Sequence, residues 1–438
     1  MAGNSHIALL SMNQEVFAAI AIFVLSFGLI SQRLKKSVLT PPMAYVVFGL
    51  LIGSPVLGLI QEAEITNRFI KVLAEITLTI VLFTDASRIQ LKLLRQKYNL
   101  PLRLLGVGLP VTIILGTISA MLLFSTELNI WEAAALATVL APTDAALGQA
   151  VVNSSRVPVC IRQALNIESG LNDGICLPIL LLFLSLAAES EQVNMAGYWL
   201  TFTSQQIIFG TAIGIGVGYF GSKLITKSVQ YEWMTVSFED LSILGLSILA
   251  YACAESIGGN GFIATFCAGL TLGSIATKPV LQCLHEFGEA EGQLLTLLSF
   301  LLYGAVMILP SFSEATWQMW LYAIFSLTIV RMLGVAVATS GLKLQLDSVL
   351  FVGWFGPRGI ASIVYGLLIV EKENFLEGSQ LIFTVMVITV LISIFAHGLT
   401  AFPGANWYAN RISAKKDLHN QMSEMMPVEE MPVRLPWR

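Results

Sequence analysis

Charged side chains are scarce in this sequence. Only 12% of its 438 residues are Asp, Glu, Lys or Arg, whereas 55% are hydrophobic, and the mean hydropathy is +0.76. Soluble domains carry roughly a quarter charged residues, so a water-soluble chain of this length could not cover its surface with so few. The sequence therefore predicts an all-α polytopic membrane protein.

Residues for nucleic-acid, disulfide and metal sites are lacking as well. The net charge is −4, and no basic face for nucleic acid is visible. The five cysteines lie in or beside apolar runs without a CxxC pair, and the four histidines form no cluster. We therefore expect no nucleic-acid partner, no disulfide, no resident metal and no cofactor. The first apolar run lacks a preceding basic region and an A-x-A cleavage site, so we expect a retained span.

Thirteen apolar runs are long enough to cross the roughly 30 Å hydrocarbon core of a bilayer. They are residues 14–31, 42–60, 68–86, 101–124, 130–152, 162–187, 198–222, 239–256, 259–277, 291–310, 317–340, 348–370 and 379–402. Lys and Arg follow every odd-numbered run, whereas Glu dominates the other loops. The positive-inside rule then predicts an outside N-terminus and a cytoplasmic C-terminus. Residues 403–438 are predicted to be a short cytoplasmic tail, which is expected to be flexible from about residue 413 onward.

The fifth, sixth and twelfth runs carry polar interruptions, and those of the fifth and twelfth contain a proline. The fifth contains Pro142-Thr143-Asp144, and the twelfth contains Gly356-Pro357-Arg358-Gly359. Proline removes a backbone donor and breaks a helix, and a break at bilayer depth is tolerated only beside protein or a water-filled cavity. The two interruptions are seven runs apart, which predicts two inverted six-helix repeats around the seventh run. Paired interrupted helices of this kind indicate the midplane ion site of a transporter. Asp144 could instead merely cap the second half of its own broken helix.

Charged residues inside a span are costly and are therefore candidates for function. Six lie away from span ends: Glu75, Asp144, Glu168, Asp173, Arg331 and Arg358. Glu75 follows Lys71 by one helical turn and is expected to pair with it. Arg331 is expected to compensate a buried acid or a helix dipole. Asp85, near the cytoplasmic end of the third run, is either a helix-end charge in water or a functional residue.

The sixth run begins with Glu168-Ser169-Gly170-Leu171-Asn172-Asp173. At about 100° per residue, Ser169 and Asp173 share one helical face, and Glu168 and Asn172 share the adjacent one. Glu168 points about 140° away from Asp173 by the same count, so the two carboxylates are not twins. Both could simply be hydrogen-bonded core carboxylates.

These motifs resemble those of a known family. APTDA (141–145), ESGLND (168–173), GNGFIATFCAGL (259–270) and GPRGIAS (356–362) are similar to segments of the monovalent cation:proton antiporters. The nearest resemblance is to the Asn-Asp branch, which includes bacterial NhaP-like antiporters and animal sodium/proton exchangers, and it covers residues 14 to about 402.

The resemblance implies roles for individual residues. Asp173 would be the carboxylate that is alternately protonated and cation-bound, and Thr143, Asp144, Ser169 and Asn172 would surround the ion. Glu168 would pair with Arg358 as a structural ion bridge. Arg331 matches a basic residue common in the family's eleventh helix. The family often has Phe-Glu-Gly where this chain has Phe83-Thr84-Asp85, which weakens a ligand role for Asp85.

The resemblance also implies an architecture. Members of the family form homodimers in the membrane lipid, with spans 4–6 and 11–13 moving as a core against a scaffold of spans 1–3 and 8–10. Span 7 links the two repeats. The expected location is the bacterial inner membrane.

Exchange of a cation for a proton follows from the chemistry of a single buried carboxylate. Such a group binds either a proton or a small hard cation with oxygen ligands, so the two compete. Asn172, where other relatives have a second Asp, favours one Na+ (or Li+ or K+) per proton. Two other functions stay open: a passive cation channel, and an intramembrane aspartyl protease. The protease needs Gly-x-Gly-Asp, and Asn172 stands where its second Gly belongs.

Overall fold

The computed structural model describes residues 14–34, 37–53, 57–58, 67–89, 99–144, 146–191, 198–370, 376–416 and 424, and every regular element within these ranges is a helix. In chain order the helices are α1 Gln14–Leu34, α2 Pro41–Ile52, α3 Asn67–Ser87, α4 Asn99–Leu123, α5 Ile130–Val139, α6 Gln149–Val152, α7 Val159–Glu191, α8 Tyr198–Gln230, α9 Val236–Ser256, α10 Gly261–Ile275, α11 Lys278–Leu302 with its continuation Ile308–Glu314, α12 Trp317–Thr339, α13 Leu346–Trp354, α14 Ile360–Val370 and α15 Ser379–Lys416.

Among the residues that the structure describes, seven helices are long and apolar enough to cross a membrane by length and composition, and five shorter apolar helices accompany them. The seven lie in α1, α4, α7, α8, the second part of α11, α12 and α15. The chain is therefore an integral membrane protein with several apolar spans. Each of the thirteen predicted runs falls on a helix or a pair of helices. The number of crossings and the orientation of the termini stay predictions.

Both predicted interruptions are confirmed. The fifth run is divided into α5 and α6, and the twelfth into α13 and α14. A second pair of irregularities has the same seven-run spacing: α4 contains a π-helical turn at Leu104–Gly108, and α12 contains one at Ser326–Val330. The matched π turns in the fourth and eleventh runs agree with a repeat relation between the two halves, whereas a third π turn, Tyr303–Met307 in α11, has no counterpart in α3.

Close packing explains the glycines of the seventh run. Gly210, Gly214 and Gly218 lie one turn apart on α8, and a Cβ atom at Gly214 would overlap the carbonyl oxygen of Ala264 on α10. Gly218 faces Ala268 in the same way. The glycine stripe therefore allows two helices to approach each other closely within the membrane.

The tail is anchored at Glu424, where the sequence predicts only a flexible segment. The side chain of Glu424 is buried, and its Oε1 accepts hydrogen bonds from the Gln345 N–H (2.6 Å) and the Ser348 hydroxyl (2.8 Å). These donors stand at the start of α13, so the carboxylate caps the positive end of that helix.

Candidate ion-binding site

The two interrupted spans meet at their breaks. The N–H of Asp144 donates to the carbonyl oxygen of Pro357 at 2.7 Å, and the Ser362 hydroxyl donates to the carbonyl oxygen of Val139 at 2.8 Å. Prolines at 142 and 357 end the regular hydrogen bonding on each side. Each break therefore provides hydrogen-bond partners for backbone groups of the other break. Because these groups are satisfied, both breaks can lie at membrane depth.

Asp144 links the two breaks through its side chain. Its Oδ1 accepts a hydrogen bond from the Ala146 N–H at 2.7 Å, and its Oδ2 accepts one from the Ile360 N–H at 3.2 Å. The carboxylate thus caps the N-terminus of α14, in the other broken span, where a negative charge complements the helix dipole. An ionised carboxylate can accept about four hydrogen bonds, so these two contacts leave acceptor positions for a cation.

Helix α7 brings the polar pair Ser169 and Asn172 against the same break. The Ser169 hydroxyl donates to the carbonyl oxygen of Thr143 at 2.5 Å, and Nδ2 of Asn172 donates to the Thr143 hydroxyl at 2.7 Å. Asn172 is 1% exposed, and within the described residues its Oδ1 has no hydrogen-bond partner. An oxygen in that condition is a suitable ligand for a small cation.

Asp173 and Asp144 line one small cavity. Its other walls come from α3, α11 and α14 through Leu78, Val81, Thr296, Ile360 and Ala361. The cavity has a volume of about 10 Å³, which is about the room that one water molecule or one bare monovalent cation needs. The structure therefore brings together the predicted residues Thr143, Asp144, Ser169, Asn172 and Asp173.

The predicted partner of Glu168 is wrong. The Glu168 carboxylate pairs with Arg331 instead of Arg358: Nη1 lies 2.5 Å from Oε1 and Nη2 lies 2.8 Å from Oε2. This two-bond geometry is the strongest that a carboxylate and a guanidinium can form. The expectation that Arg331 compensates a buried acid is confirmed.

Arg358 instead serves the interrupted fifth span. Its Nη1 donates to the carbonyl oxygens of Ala141 and, at 3.0 Å, Pro142, which the proline break leaves without helical partners. Arg358 is fully buried and lies within electrostatic range of both Glu168 and Arg331. The three side chains therefore form one cluster with two positive charges and one negative charge.

Asp85 is buried against α7, with its Cβ and carbonyl oxygen beside Gly170. Asp85 is therefore not a helix-end charge in water. It is also not among the residues that line the cavity of Asp144 and Asp173. The side chain of Lys71, the predicted partner of Glu75, lies outside the described residues.

Four contributors to the site escape sequence reasoning. Thr296 lines the cavity from α11, and the Tyr365 hydroxyl donates to the carbonyl oxygen of Asp173. Ser393 and His397 of α15 bind the backbone on either side of the α13–α14 break. A signal existed for the last two, since a serine and a histidine one helical turn apart within an apolar span are unusual.

Known proteins match this arrangement over nearly the whole chain. The model of the family described as sodium/hydrogen exchanger, transmembrane, matches residues 18–407. A structure of the sodium proton antiporter MjNhaP1 from Methanocaldococcus jannaschii superimposes with a TM-score of 0.73 at 21% identity, covering 91% of this chain and 99% of that one. The two proteins therefore share a fold.

Relatives of known name agree with the family. The K+/H+ antiporter NhaP of Alkalimonas amylolytica is 24% identical over 404 residues, which are 91% of this chain and 67% of that protein. The K+/H+ antiporter NhaP2 of Shewanella sp. (strain ANA-3) is 23% identical over 84% of this chain and 62% of its own length. An Na+/H+ antiporter of Schizosaccharomyces pombe is 24% identical over 66% of this chain and 69% of its own length. The chain spans about two thirds of the length of these relatives. It belongs to the sodium/hydrogen exchanger family of membrane proteins.

Proposed function

We propose that this protein is a secondary active antiporter that exchanges a monovalent cation for a proton across the membrane. The observation that carries the proposal is the cavity at the crossing of the interrupted spans, where Asp144 and Asp173 face a space for one small ligand. The family includes exchangers and not intramembrane proteases, so the aspartyl protease is set aside.

Asp173 is the proposed carrier of both substrates. It lies on the continuous helix α7, next in sequence to Asn172, and it lines the same cavity as Asp144. With a proton bound it is neutral, and without one it offers a charge that Na+, K+ or Li+ can neutralise. Because the cavity has room for one such ion, proton and cation compete for it, and exchange is obligatory when only the loaded forms of the core cross the membrane.

Electroneutral exchange is the proposed stoichiometry. Both oxygens of Asp144 already accept backbone hydrogen bonds, and Asn172 cannot carry a proton. Asp173 is then the one carrier, which gives one cation per proton. A current from reconstituted protein that grew with the transport rate would contradict this stoichiometry.

Na+ is the proposed cation, with K+ as the second candidate because several relatives are named K+/H+ antiporters. We further propose a homodimer in the bacterial inner membrane with a cytoplasmic C-terminus, contributing to pH homeostasis. In each protomer, spans 4–6 and 11–13 would move as a core against spans 1–3 and 8–10. The direct contacts of α7 with Thr143 in the fifth-run break and with Tyr365 of α14 support one moving unit.

The test uses purified protein in liposomes that contain a pH-sensitive dye. An imposed Na+, K+ or Li+ gradient is expected to drive proton movement in the opposite direction. Asp173→Asn, which keeps the shape and removes the titratable group, is expected to abolish exchange while the protein remains folded. Glu314→Gln changes an exposed carboxylate and serves as the control. Full exchange by Asp173→Asn would remove Asp173 from the carrier role, and cation flux without proton movement would identify a channel.

A further inference from the structure

A relay of hydrogen bonds from α15 spans the break between α13 and α14. The N–H of Arg358, inside the break, donates to the Ser393 hydroxyl oxygen at 2.6 Å. That oxygen lies 3.1 Å from Nδ1 of His397, and Nε2 of His397 lies 2.8 Å from the carbonyl oxygen of Trp354, the last residue of α13. Ser393 and His397 are 0% and 1% exposed, so water does not replace these bonds.

The ring of His397 is held at both nitrogen atoms. Nε2 donates to the Trp354 carbonyl oxygen, which only accepts, and Nδ1 lies 3.1 Å from the Ser393 hydroxyl oxygen and 3.0 Å from the Ser393 carbonyl oxygen. The Ser393 hydroxyl oxygen accepts from the Arg358 N–H. The ring of His397 also packs on Trp354 with 5.2 Å between ring centroids. The interruption is thus held at both ends, at residue 354 and at residue 358, by one turn of a continuous helix.

The position of this break determines the position of Asp144. Within the segment that the relay holds, the carbonyl oxygen of Pro357 accepts from the Asp144 N–H, and the Ile360 N–H donates to the Asp144 carboxylate. A shift of the peptide at 357–360 would therefore move a wall of the cavity, although neither Ser393 nor His397 lines it.

We propose that Ser393 and His397 are positioning residues for cation binding: they hold the interrupted twelfth span in the geometry that keeps Asp144 at the cavity. The proposal rests on the proposed exchange function. Loss of the relay leaves the chemical groups of the ion ligands unchanged but lowers the fraction of molecules in which they surround a formed cavity. The apparent affinity for the cation falls by that fraction, whereas saturating cation restores the formed state.

The test compares Ser393→Ala with Thr389→Val. Thr389 lies one turn earlier on α15 and is equally buried, but its hydroxyl donates only to its own helix, at Val385. For Ser393→Ala we expect the apparent KM for the cation to rise about tenfold, the effect of one unsatisfied buried donor, with a maximal rate within about twofold of wild type. Thr389→Val and the hydroxyl-retaining Ser393→Thr are expected to keep the wild-type KM. An unchanged KM in Ser393→Ala, or an equal rise in Thr389→Val, would overturn the proposal.

Hydrogen–deuterium exchange gives a second readout that does not need transport. The amides of residues 355, 356 and 358–360 are expected to exchange about tenfold faster in Ser393→Ala than in wild type, and at the wild-type rate in Thr389→Val. If Ser393→Ala is not recovered folded, Ser393→Cys, a weaker hydrogen-bonding group, is expected to give an intermediate increase in both readouts. Wild-type protein that moves no protons against Na+, K+ or Li+ would refute the proposed function. Hydrogen–deuterium exchange at residues 355–360 that is unaltered in both Ser393→Ala and Ser393→Cys would refute the positioning role alone.

Discussion

The Glu168–Arg331 pair gives the sharpest energetic prediction. The two side chains are 3% and 4% exposed, and removing one partner of such a buried pair costs about 3–5 kcal/mol because the other charge is left uncompensated. The two single changes are not equivalent here. Arg331→Gln leaves Glu168 with Arg358 in electrostatic range, whereas Glu168→Gln leaves two buried guanidinium groups facing each other. We therefore expect about 4 kcal/mol of destabilisation for Glu168→Gln and about half of that for Arg331→Gln.

A double-mutant cycle measures the pairing itself. Free energies of unfolding would be obtained by SDS titration of the purified protein in mixed micelles, for the single and double Gln variants. The coupling energy between Glu168 and Arg331 is expected to be about 3 kcal/mol, the upper end for direct contacts. The cycle of Glu168 with Arg358 is expected to give less than half of that value. A larger coupling with Arg358 would show that the bidentate geometry is not the pairing that stabilises the protein, and equal losses from the two single Gln variants would refute the charge argument.

Two further changes probe the crossing and the tail. Gly359→Ala would place a Cβ atom onto Oδ2 of Asp144, so we expect about 2 kcal/mol of destabilisation and loss of cation/proton exchange. Gly216→Ala on α8 meets open space and is expected to change stability by no more than about 1 kcal/mol. Equal effects of the two variants in unfolding and transport assays would contradict this reasoning. Glu424→Ala removes the cap at Gln345 and is expected to cost about 1 kcal/mol of stability, measured as a lower melting temperature. Glu424→Gln keeps an acceptor oxygen and is expected to retain most of the wild-type melting temperature. A melting temperature unchanged by Glu424→Ala would show that the cap does not stabilise α13.

Local signals made it predictable that the polar residues of the candidate ion site meet at the interrupted fifth span. A proline followed by Thr143 and Asp144 within an apolar run indicates a polar break, and the four-residue spacing of Ser169 and Asp173 puts both on one face of α7. These are properties of a few neighbouring residues, so they survive without knowledge of the tertiary structure. The contacts of Ser169 and Asn172 with Thr143 agree with them.

The partner of Glu168 was not predictable from the same signals. Helical geometry shows that Glu168 faces away from Asp173, but it does not show which arginine lies on the side that Glu168 faces. Arg331 is 163 residues away along the chain and directly follows the π-helical turn of α12. Such a turn holds an extra residue and rotates the following side chains relative to a regular helix. The direction of Arg331 therefore depends on a backbone irregularity that leaves little mark in the sequence.

The two breaks supply each other's backbone hydrogen-bond partners, and this has a consequence during biosynthesis. The backbone at Asp144 obtains its partner from Pro357, which is synthesised 213 residues later. At roughly 5–20 residues per second, the first half of the chain waits about 10–40 s with an opened helix at membrane depth. During that interval the unpaired peptide groups must be held in water or by the insertion machinery. Nascent chains that end before residue 357 are therefore expected to be the ones that cellular quality control recognises.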